Sequence, residues 1–355
     1  MKPAPRAPRT AHHAARFRPA ARTLAPTPHG NRMPDQTRAT RILTGIDSRS
    51  WEHPADRAAL NALRKVPGFD EVLRKLFGMF GERQVRLAFL ANAVRVSETQ
   101  HPRLHAMWAD VGRTLDAPAE YPLYVTQNPT YNAAALGMDK PFVMVHSEMV
   151  RDFEDAELRF VLGHELGHVM SGHQLYTTML MLLLGLARGN FSLLGLAALP
   201  VMLALLEWSR KAELSCDRAG LLAVQAPEPG LRTMLQFAGG TFSETNLAAF
   251  VEQAEEYRDS SDLTDQVFKV LNLLWVTHPF PVIRVAEMRN WFESGAYDRI
   301  MAGEYRRRGE PDTPYRDDVQ EAARSYKESA KETFGQAADA AKKVVDSFRS
   351  GFNRP

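Results

Sequence analysis

The chain has 355 residues, 45% of them hydrophobic, which is enough to bury one large core or two modest ones. Its net charge of +2 hides an uneven distribution: residues 1–34 hold seven Lys or Arg and no acid, so the rest of the chain carries −5. A mildly acidic folded part lacks the charge signature of nucleic-acid binding, and we expect no nucleic-acid partner. The single cysteine, Cys216, excludes an internal disulfide framework and is typical of a reducing compartment.

Residues 1–34 are rich in Ala, Pro and Arg and contain no apolar run, so we expect a disordered basic tail. Because the tail has no apolar stretch of the kind found in secretory signals, we expect a cytoplasmic protein that is not secreted. The Arg-rich composition also resembles a transit peptide, and Met33 is an alternative start. The sequence leaves both possibilities open.

Residues 35–116 predict an N-terminal helical layer. Apolar side chains recur at helical spacing from Trp51 to Phe77 with a break at Pro67-Gly68, again over 85–96, and again over 104–115. No motif in this region indicates separate chemistry. We therefore expect these helices to pack on the part of the chain that follows.

The periodicity then changes to that of strands. The runs 122–126 and 142–146 are short and rich in β-forming residues, and a loop that contains Asn132 and Gly137 joins them. Extended peptides often bind by adding a strand to an exposed sheet edge. Which strand forms that edge is open at this point.

The most informative stretch is His164-Glu165-Leu-Gly-His168, a His-Glu-x-x-His motif within a segment of helical periodicity. Residues four apart lie one above the other on a helix, so both imidazoles can face one metal ion. Glu165 lies about a third of the way round the helix, within reach of a water at that metal. We predict one Zn²⁺ per chain with Glu165 as general base, and the alternative is a hydrogen-bonded pair of core histidines.

The same helix carries signals for its start and its packing. Asp155 is a possible N-cap, and the acidic Glu157 follows in the first turn. Gly163 and Gly167 each cost a helix about 1 kcal/mol relative to alanine. We expect that they are present because another backbone approaches closely.

The third metal ligand decides the class of site. A metzincin needs glycine at position 171 and histidine at position 174, whereas the chain has Ser171 and Gln174. A gluzincin takes a glutamate from a later helix, and Glu213 is the candidate, with Asp217 one turn further on to fix the tautomer of a ligand histidine. Glu207 is a competing ligand, and a solvated pair of surface acids is the alternative without a metal.

Residues 175–206 form an apolar hairpin in this prediction. Two apolar runs of 13 and 16 residues flank Arg188-Gly189-Asn190, and both are shorter than the roughly 20 residues of a membrane-spanning helix. Two buried helices that return Glu213 toward the histidines fit these lengths. Attachment of the hairpin to a membrane surface, or its insertion into a membrane, remains an alternative.

Further along, Thr277-His278-Pro279 precedes a predicted helix that has Pro281 near its first turn and Arg284 one turn later. His278 either faces the metal site or caps this helix. After residue 303 we predict a charged linker and a C-terminal amphipathic helix over 304–355, with small apolar residues at spacings of three and four.

These motifs together resemble the peptidase family of HtpX and the CAAX prenyl proteases over roughly residues 120–290. The resemblance rests on the His-Glu-x-x-His motif, Gly172-His173, Ser209-Arg210, Glu213, Asp217, Asn132-Ala133, Thr277-His278-Pro279 and Arg284. It implies a gluzincin-type zinc metallopeptidase core over 117–303, with a predominantly helical, zincin-like α+β fold and a small β-sheet beside the motif helix. It also implies that Asn132 and His278 approach the cleft, with the His278 imidazole able to stabilise an oxyanion, and that Asp217 and Arg284 support the ligands.

We therefore expect a zinc metalloendopeptidase that cleaves protein or peptide substrates in protein quality control. One alternative is a non-catalytic zinc-containing binding or scaffold protein, for which Glu165 would be superfluous. A membrane-embedded prenyl-protein protease is another, although the chain lacks the several long spans expected of one. The sequence does not indicate an oligomeric state.

Overall fold

Helices make up most of the chain in this computed structural model, which describes residues 40–189, 198–240, 244–259 and 278–310. Thr40 and the described residues after it belong to one compact unit. The predicted tail over 1–34 and the apolar stripe of the predicted C-terminal helix lie outside the described residues. The helices are α1 (Pro54–Leu63), α2 (Phe69–Met79), α3 (Glu82–Leu90), α4 (Pro102–Thr114), α5 (Ser147–Asp152), α6 (Asp155–Met170), α7 (Gln174–Gly189), α8 (Ala198–Val224), α9 (Pro227–Phe237), α10 (Leu247–Asp259), α11 (Pro281–Glu293) and α12 (Ala296–Ala302).

A four-stranded sheet accompanies the helices. Its strands are β1 (Ala93–Arg95), β2 (Leu123–Thr126), β3 (Ala133–Leu136) and β4 (Phe142–His146), in the order β1-β2-β4-β3. β2 and β4 are parallel, and the two outer strands are antiparallel to their neighbours. β3 is therefore an edge strand. The predicted α+β fold, mostly helical with a small sheet, is confirmed.

Two of the strands differ from the sequence prediction. The predicted helix over 85–96 is wrong in its second half, because α3 ends at Leu90 and β1 pairs with β2 from Ala93. β3 lies in the segment expected to be a loop. It is rich in alanine, so it lacks the β-branched residues that mark strands, and its pairing with β4 holds it extended.

Helix α6, which carries the His-Glu-x-x-His motif, is buried along most of its length. Its N-cap is Glu154, which forms a capping box with Glu157. The prediction of Asp155 as N-cap is wrong by one residue, and Asp155 instead pairs with Arg103 at 2.6 Å. The capping box satisfies backbone N–H groups that the first helical turn leaves without partners.

Close packing of α8 against α6 requires the two glycines of the motif helix. A Cβ added at Gly163 would lie 2.3 Å from the Cβ of Ala223, and one added at Gly167 would lie 2.6 Å from the Cβ of Ala219. These distances are shorter than any tolerated carbon–carbon contact. The expectation of a close backbone approach is confirmed, and the contact brings α8 beside the histidines.

The apolar hairpin consists of α7 and the first half of α8, while residues 190–197 lie outside the described chain. Pro200 lies in the first described turn of α8. The helix then continues without a break through Glu213 and Asp217 to Val224. The two helices share a buried apolar cluster with α1 and α2, which includes Leu63, Leu76, Leu180, Leu205 and Trp208.

Within the described ranges, no single helix is long and apolar enough to cross a membrane. The pair formed by α6 and residues 174–187, which meet at a bend of 96°, meets the same length and composition criterion together.

Candidate metal centre

Three buried side chains converge between α6 and α8. His164 and His168 lie one turn apart on α6, and their Nε2 atoms are 3.2 Å from each other. The Glu213 carboxylate comes from α8, with Oε2 3.4 Å from Nε2 of His164 and Oε1 3.3 Å from Nε2 of His168. The structure thus brings together the three residues that the sequence predicts as metal ligands.

The spacing and chemistry of these donors fit zinc. Donors at about 2.0–2.1 Å from a tetrahedral zinc ion are separated from each other by about 3.3 Å. The two imidazole nitrogens have about this separation, and each of them lies at about this distance from one of the two Glu213 oxygens. Glu213 Oε2 is buried and accepts no hydrogen bond from the residues that the structure describes, although Nη1 of Arg284 lies 3.5 Å away. A buried carboxylate oxygen without a hydrogen-bond donor is costly. A divalent cation between the three groups would add to the compensation that Arg284 provides.

Asp217 and Arg284 lie behind His164. Asp217 Oδ1 is 3.1 Å from His164 Nδ1, and the Nε–H of Arg284 donates to Asp217 Oδ2 at 2.8 Å. Burial raises the pKa of Asp217, but the charge and hydrogen bonds of Arg284 lower it more, so the carboxyl stays ionised. An ionised Asp217 accepts the proton on Nδ1 of His164 and leaves Nε2 to face the metal position.

Glu165 lies beside the three donors and is not bonded to them. Its Oε2 atom is buried with no hydrogen-bond donor in the described part of the chain. Burial, reinforced by the nearby Glu213 charge, raises the pKa of Glu165 to about 7, although the backbone of Ala135 in the edge strand β3 lowers this pKa slightly. A carboxyl group with a pKa close to neutrality can both accept and release a proton.

His278 and Asn132 lie at the mouth of the site. Nε2 of His278 is 3.6 Å from Oε1 of Glu213, and the His278 side chain is 44% exposed. The Oδ1 atom of Asn132 accepts the N–H of Ala133 at 3.0 Å, and both residues line the cleft. The structure therefore places His278 near the metal donors and Asn132 on the rim.

The cleft in front of these groups has a volume of about 380 Å³. On one side it contains Glu165, Glu213, His164 and His278. The other walls are largely apolar, and their side chains are Tyr131, Met149, Phe160, Val161, Phe237 and Phe280. A polar reacting centre in an apolar cleft is the usual form of a binding site for a partly apolar ligand.

The sequence suggested Glu207 as a competing metal ligand and gave no indication of Asp56. Glu207, the competing ligand, pairs with Arg210 on the same helix and is not part of the donor cluster. Asp56 of α1 lies close to the centre through His173, and no motif indicated it. A carboxylate more than a hundred residues before the motif gives no spacing signal, so only the tertiary structure reveals it.

Comparison with known proteins assigns the family. The model of peptidase family M48 matches residues 98–292. The plastoglobule-localized metallopeptidase 48, chloroplastic, of Arabidopsis thaliana is 32% identical over 275 residues, covering 73% of this chain and 77% of that protein. No solved structure matches the chain. The family match spans more than half of the chain and includes the convergent donors of α6 and α8, and the chain therefore belongs to peptidase family M48, a family of metallopeptidases.

Proposed function

We propose that the chain is a zinc-dependent metalloendopeptidase in which His164, His168 and Glu213 hold one Zn²⁺. The observation that supports this most directly is the convergence of the three buried donor groups at separations of 3.2–3.4 Å, with Glu165 beside them and not bonded to them. When bound, zinc would polarise a scissile carbonyl and make a neighbouring water more acidic.

Glu165 is the general base of this proposal. Its unbonded Oε2 takes a proton from the attacking water and then passes that proton to the nitrogen of the leaving amine. The backbone of Ala135 lies near the carboxylate, and Oε2 has no hydrogen-bond partner among the described residues. Because Ala135 belongs to β3, the base lies beside the strand on which we expect the substrate to lie.

His278 and the pair of Asp217 and Arg284 have supporting roles. We assign to His278 stabilisation of the oxyanion that forms on the carbonyl, because its half-exposed imidazole lies beside the donors and is open to the cleft. Asp217, held by Arg284, keeps His164 in the tautomer that presents Nε2. A substrate can approach His278, whereas the buried Asp217 acts through His164. Arg284 pairs with Asp217 and with Glu213, and it also lines the cleft.

The substrate class follows from the edge strand. Among the described strands β3 is at the end of the sheet, and its first residue Ala133 and the preceding Asn132 line the cleft. An extended polypeptide that pairs with this edge brings a backbone carbonyl toward Glu165, and the apolar walls accept its side chains. Unfolded proteins expose such segments, which favours a role in protein quality control.

The cellular location stays a prediction. The Arabidopsis relative is named as a chloroplastic, plastoglobule-localized protein, whereas composition predicts a cytoplasmic location for this chain. For this chain we propose a cytoplasmic or membrane-associated peptidase, with the α7–α8 hairpin as the segment that would contact a membrane.

Replacement of Glu165 by glutamine tests the proposed mechanism. The amide keeps the size of the side chain but does not accept the proton, so casein cleavage should fall by at least about 10²-fold while zinc content stays near one per chain. Wild-type activity should disappear with a chelator and return with added zinc. Proteolysis by Glu165→Gln at the wild-type rate would refute the general-base role, and chelator-resistant wild-type activity would refute the metal dependence.

A further inference from the structure

A second buried chain of polar groups lies behind His168, on the side away from Glu213. The Nδ1 atoms of His168 and His173 are 3.2 Å apart, and Nε2 of His173 lies 3.2 Å from Oδ2 of Asp56. The side chains of His173 and Asp56 are each 2% exposed. Solvent therefore does not compete for these contacts, and each of the four polar atoms needs a partner inside the protein.

The other partners of Asp56 fix its chemical state. The Ser215 hydroxyl donates to Oδ2 at 2.6 Å, and the Nε1–H of Trp208 donates to Oδ1 at 3.1 Å. Both carboxylate oxygens thus act as acceptors, and an ionised Asp56 satisfies both donors. The atom of His173 that faces this carboxylate must then carry a proton, which places the proton of the imidazole on Nε2.

The proton on Nε2 determines whether the other ring nitrogen of His173, Nδ1, donates or accepts a hydrogen bond. With Nε2 protonated, Nδ1 of a neutral His173 is an acceptor. A histidine that binds a metal through Nε2 carries its own proton on Nδ1. Nδ1 of His168 can therefore donate to Nδ1 of His173, and it lies closer to that atom, at 3.2 Å, than the Cys216 thiol does, at 3.6 Å.

We propose that Asp56 and His173 are positioning residues for the zinc site: Asp56 accepts the Nε2–H of His173, and Nδ1 of His173 accepts the Nδ1–H of His168. This inference rests on the proposed zinc site. Each ligand histidine then has a buried carboxylate behind it. Asp217 acts directly on His164, and Asp56 acts on His168 through one intervening imidazole.

The arrangement gives the N-terminal helices a part in the chemistry. Asp56 is on α1, and α1 packs against α8, which supplies Glu213, Trp208 and Ser215. The same carboxylate thus bonds two residues of the helix that supplies the third ligand and orients the second ligand on α6. Displacement of α1 would loosen the metal site without changing any ligand.

Cys216 suggests one competing arrangement. Its Sγ atom lies 3.6 Å from Nδ1 of His173, and donor atoms of His168, His173 and Cys216 lie within 4.8 Å of one another. A second metal ion there would require both nitrogens of His168 to bind cations at once. The hydrogen-bonded arrangement needs only one cation and satisfies Asp56, so we favour it, and metal stoichiometry distinguishes the two.

The test compares zinc affinities of full-length variants by competition with a chromogenic chelator. Asp56→Asn offers one amide oxygen where the carboxylate offers two, so it cannot accept from both Trp208 and His173. His173→Phe keeps the ring volume and removes both nitrogens, while His173→Gln can still accept with its oxygen and donate with its NH₂ group. Thr178→Val is the control, because it removes a buried hydroxyl that bonds Gly137 away from the site.

We expect Asp56→Asn and His173→Phe to weaken zinc binding by about 10–100-fold, the usual effect of losing a group that orients a metal ligand. His173→Gln should recover most of the loss, and Thr178→Val should bind like the wild type. Circular dichroism of the metal-free proteins checks that all variants fold. Nitrogen-15 NMR of the zinc-loaded wild type should show the protons on Nε2 of His173 and Nδ1 of His168.

Three results would overturn the inference. Zinc affinities of Asp56→Asn and His173→Phe equal to the wild-type value would show that the pair does not position His168. Two zinc ions per wild-type chain, falling to one in His173→Phe, would make His173 a ligand. A wild type that binds no zinc would remove the proposed zinc site together with this inference, whereas the first result would leave the zinc site standing.

Discussion

The contact between α6 and α8 at Gly163 yields a prediction that combines stability with metal binding. A methyl group at this position would lie 2.3 Å from the Cβ of Ala223, whereas carbon atoms in contact are separated by about 3.5–4.0 Å. Gly163→Ala therefore forces α6 and α8 apart, because rotation of the side chains cannot relieve a clash between two Cβ atoms. Because α8 carries Glu213, the same displacement separates this ligand from His164.

The expected loss of stability is about 2 kcal/mol. Overpacking a close interface costs roughly 1–3 kcal/mol, and a clash between two Cβ atoms belongs at the upper end because neither can rotate away. The higher helix propensity of alanine offsets about 1 kcal/mol of this loss of stability. Gly112 of α4 separates the two effects, since a Cβ there meets nothing within 4 Å. Gly112→Ala should therefore gain stability by up to about 1 kcal/mol.

The decisive variant moves the methyl group across the interface. In Gly163→Ala/Ala223→Gly, the Cβ of residue 163 occupies space that Ala223 vacates, and the helix propensities of the two positions largely offset each other. Urea denaturation of the metal-free proteins should place this double variant within about 1 kcal/mol of the wild type, as expected for coupled neighbours. Zinc affinity should fall in Gly163→Ala and return in the double variant.

Two outcomes would refute this reasoning. A Gly163→Ala variant as stable as Gly112→Ala would mean that α6 and α8 are not in close contact in solution. A double variant whose stability loss equals the summed losses of Gly163→Ala and Ala223→Gly would mean that the two positions do not share one space.

Three further predictions concern the site itself. Glu213→Ala should reduce the zinc content far below one per chain in elemental analysis, and a content still near one would show that another residue is the third ligand. Asp217→Asn should weaken zinc binding by about 10–100-fold in a chelator competition, because His164 loses the acceptor that fixes its tautomer; an unchanged affinity would contradict that role. His278→Ala should keep its zinc while kcat falls by about 10²-fold, and loss of the metal instead of turnover would identify His278 as a ligand.

The enzyme class and the fold class were predictable because their signals are local. His164, Glu165 and His168 lie within one and a half turns of a single helix, so spacing alone places them on neighbouring faces. The unfavourable Gly163 and Gly167 marked the close approach of another helix, which the structure confirms. Glu213 was harder to place, since a carboxylate on a later helix is recognisable only together with a motif and the residues around it.

The parts that sequence reasoning missed depend on tertiary contacts. β3 is rich in alanine and is held extended by its pairing with β4, so its residues carry no strand preference of their own. β1 is only three residues long, and the helical pattern before it extends into it. Asp155 shows the usual limit of precision at a helix end, because adjacent acidic residues make the N-cap ambiguous by one position.

Asp56 illustrates a more general limit. It lies in the predicted N-terminal helical layer, where no motif indicated separate chemistry, and an acidic residue on an amphipathic helix is usually exposed. Its side chain is nevertheless 2% exposed and bonds Ser215 and Trp208 of α8. Burial of a charged carboxylate is tolerated only where several donors compensate it, and here each donor comes from a distant part of the chain. Asp56 is buried, accepts hydrogen bonds at both oxygens and lies close to the candidate metal centre, and these features indicate a functional role that its position on α1 did not. The same reasoning identifies the α1–α8 contact as the place where the N-terminal helices can affect the chemistry.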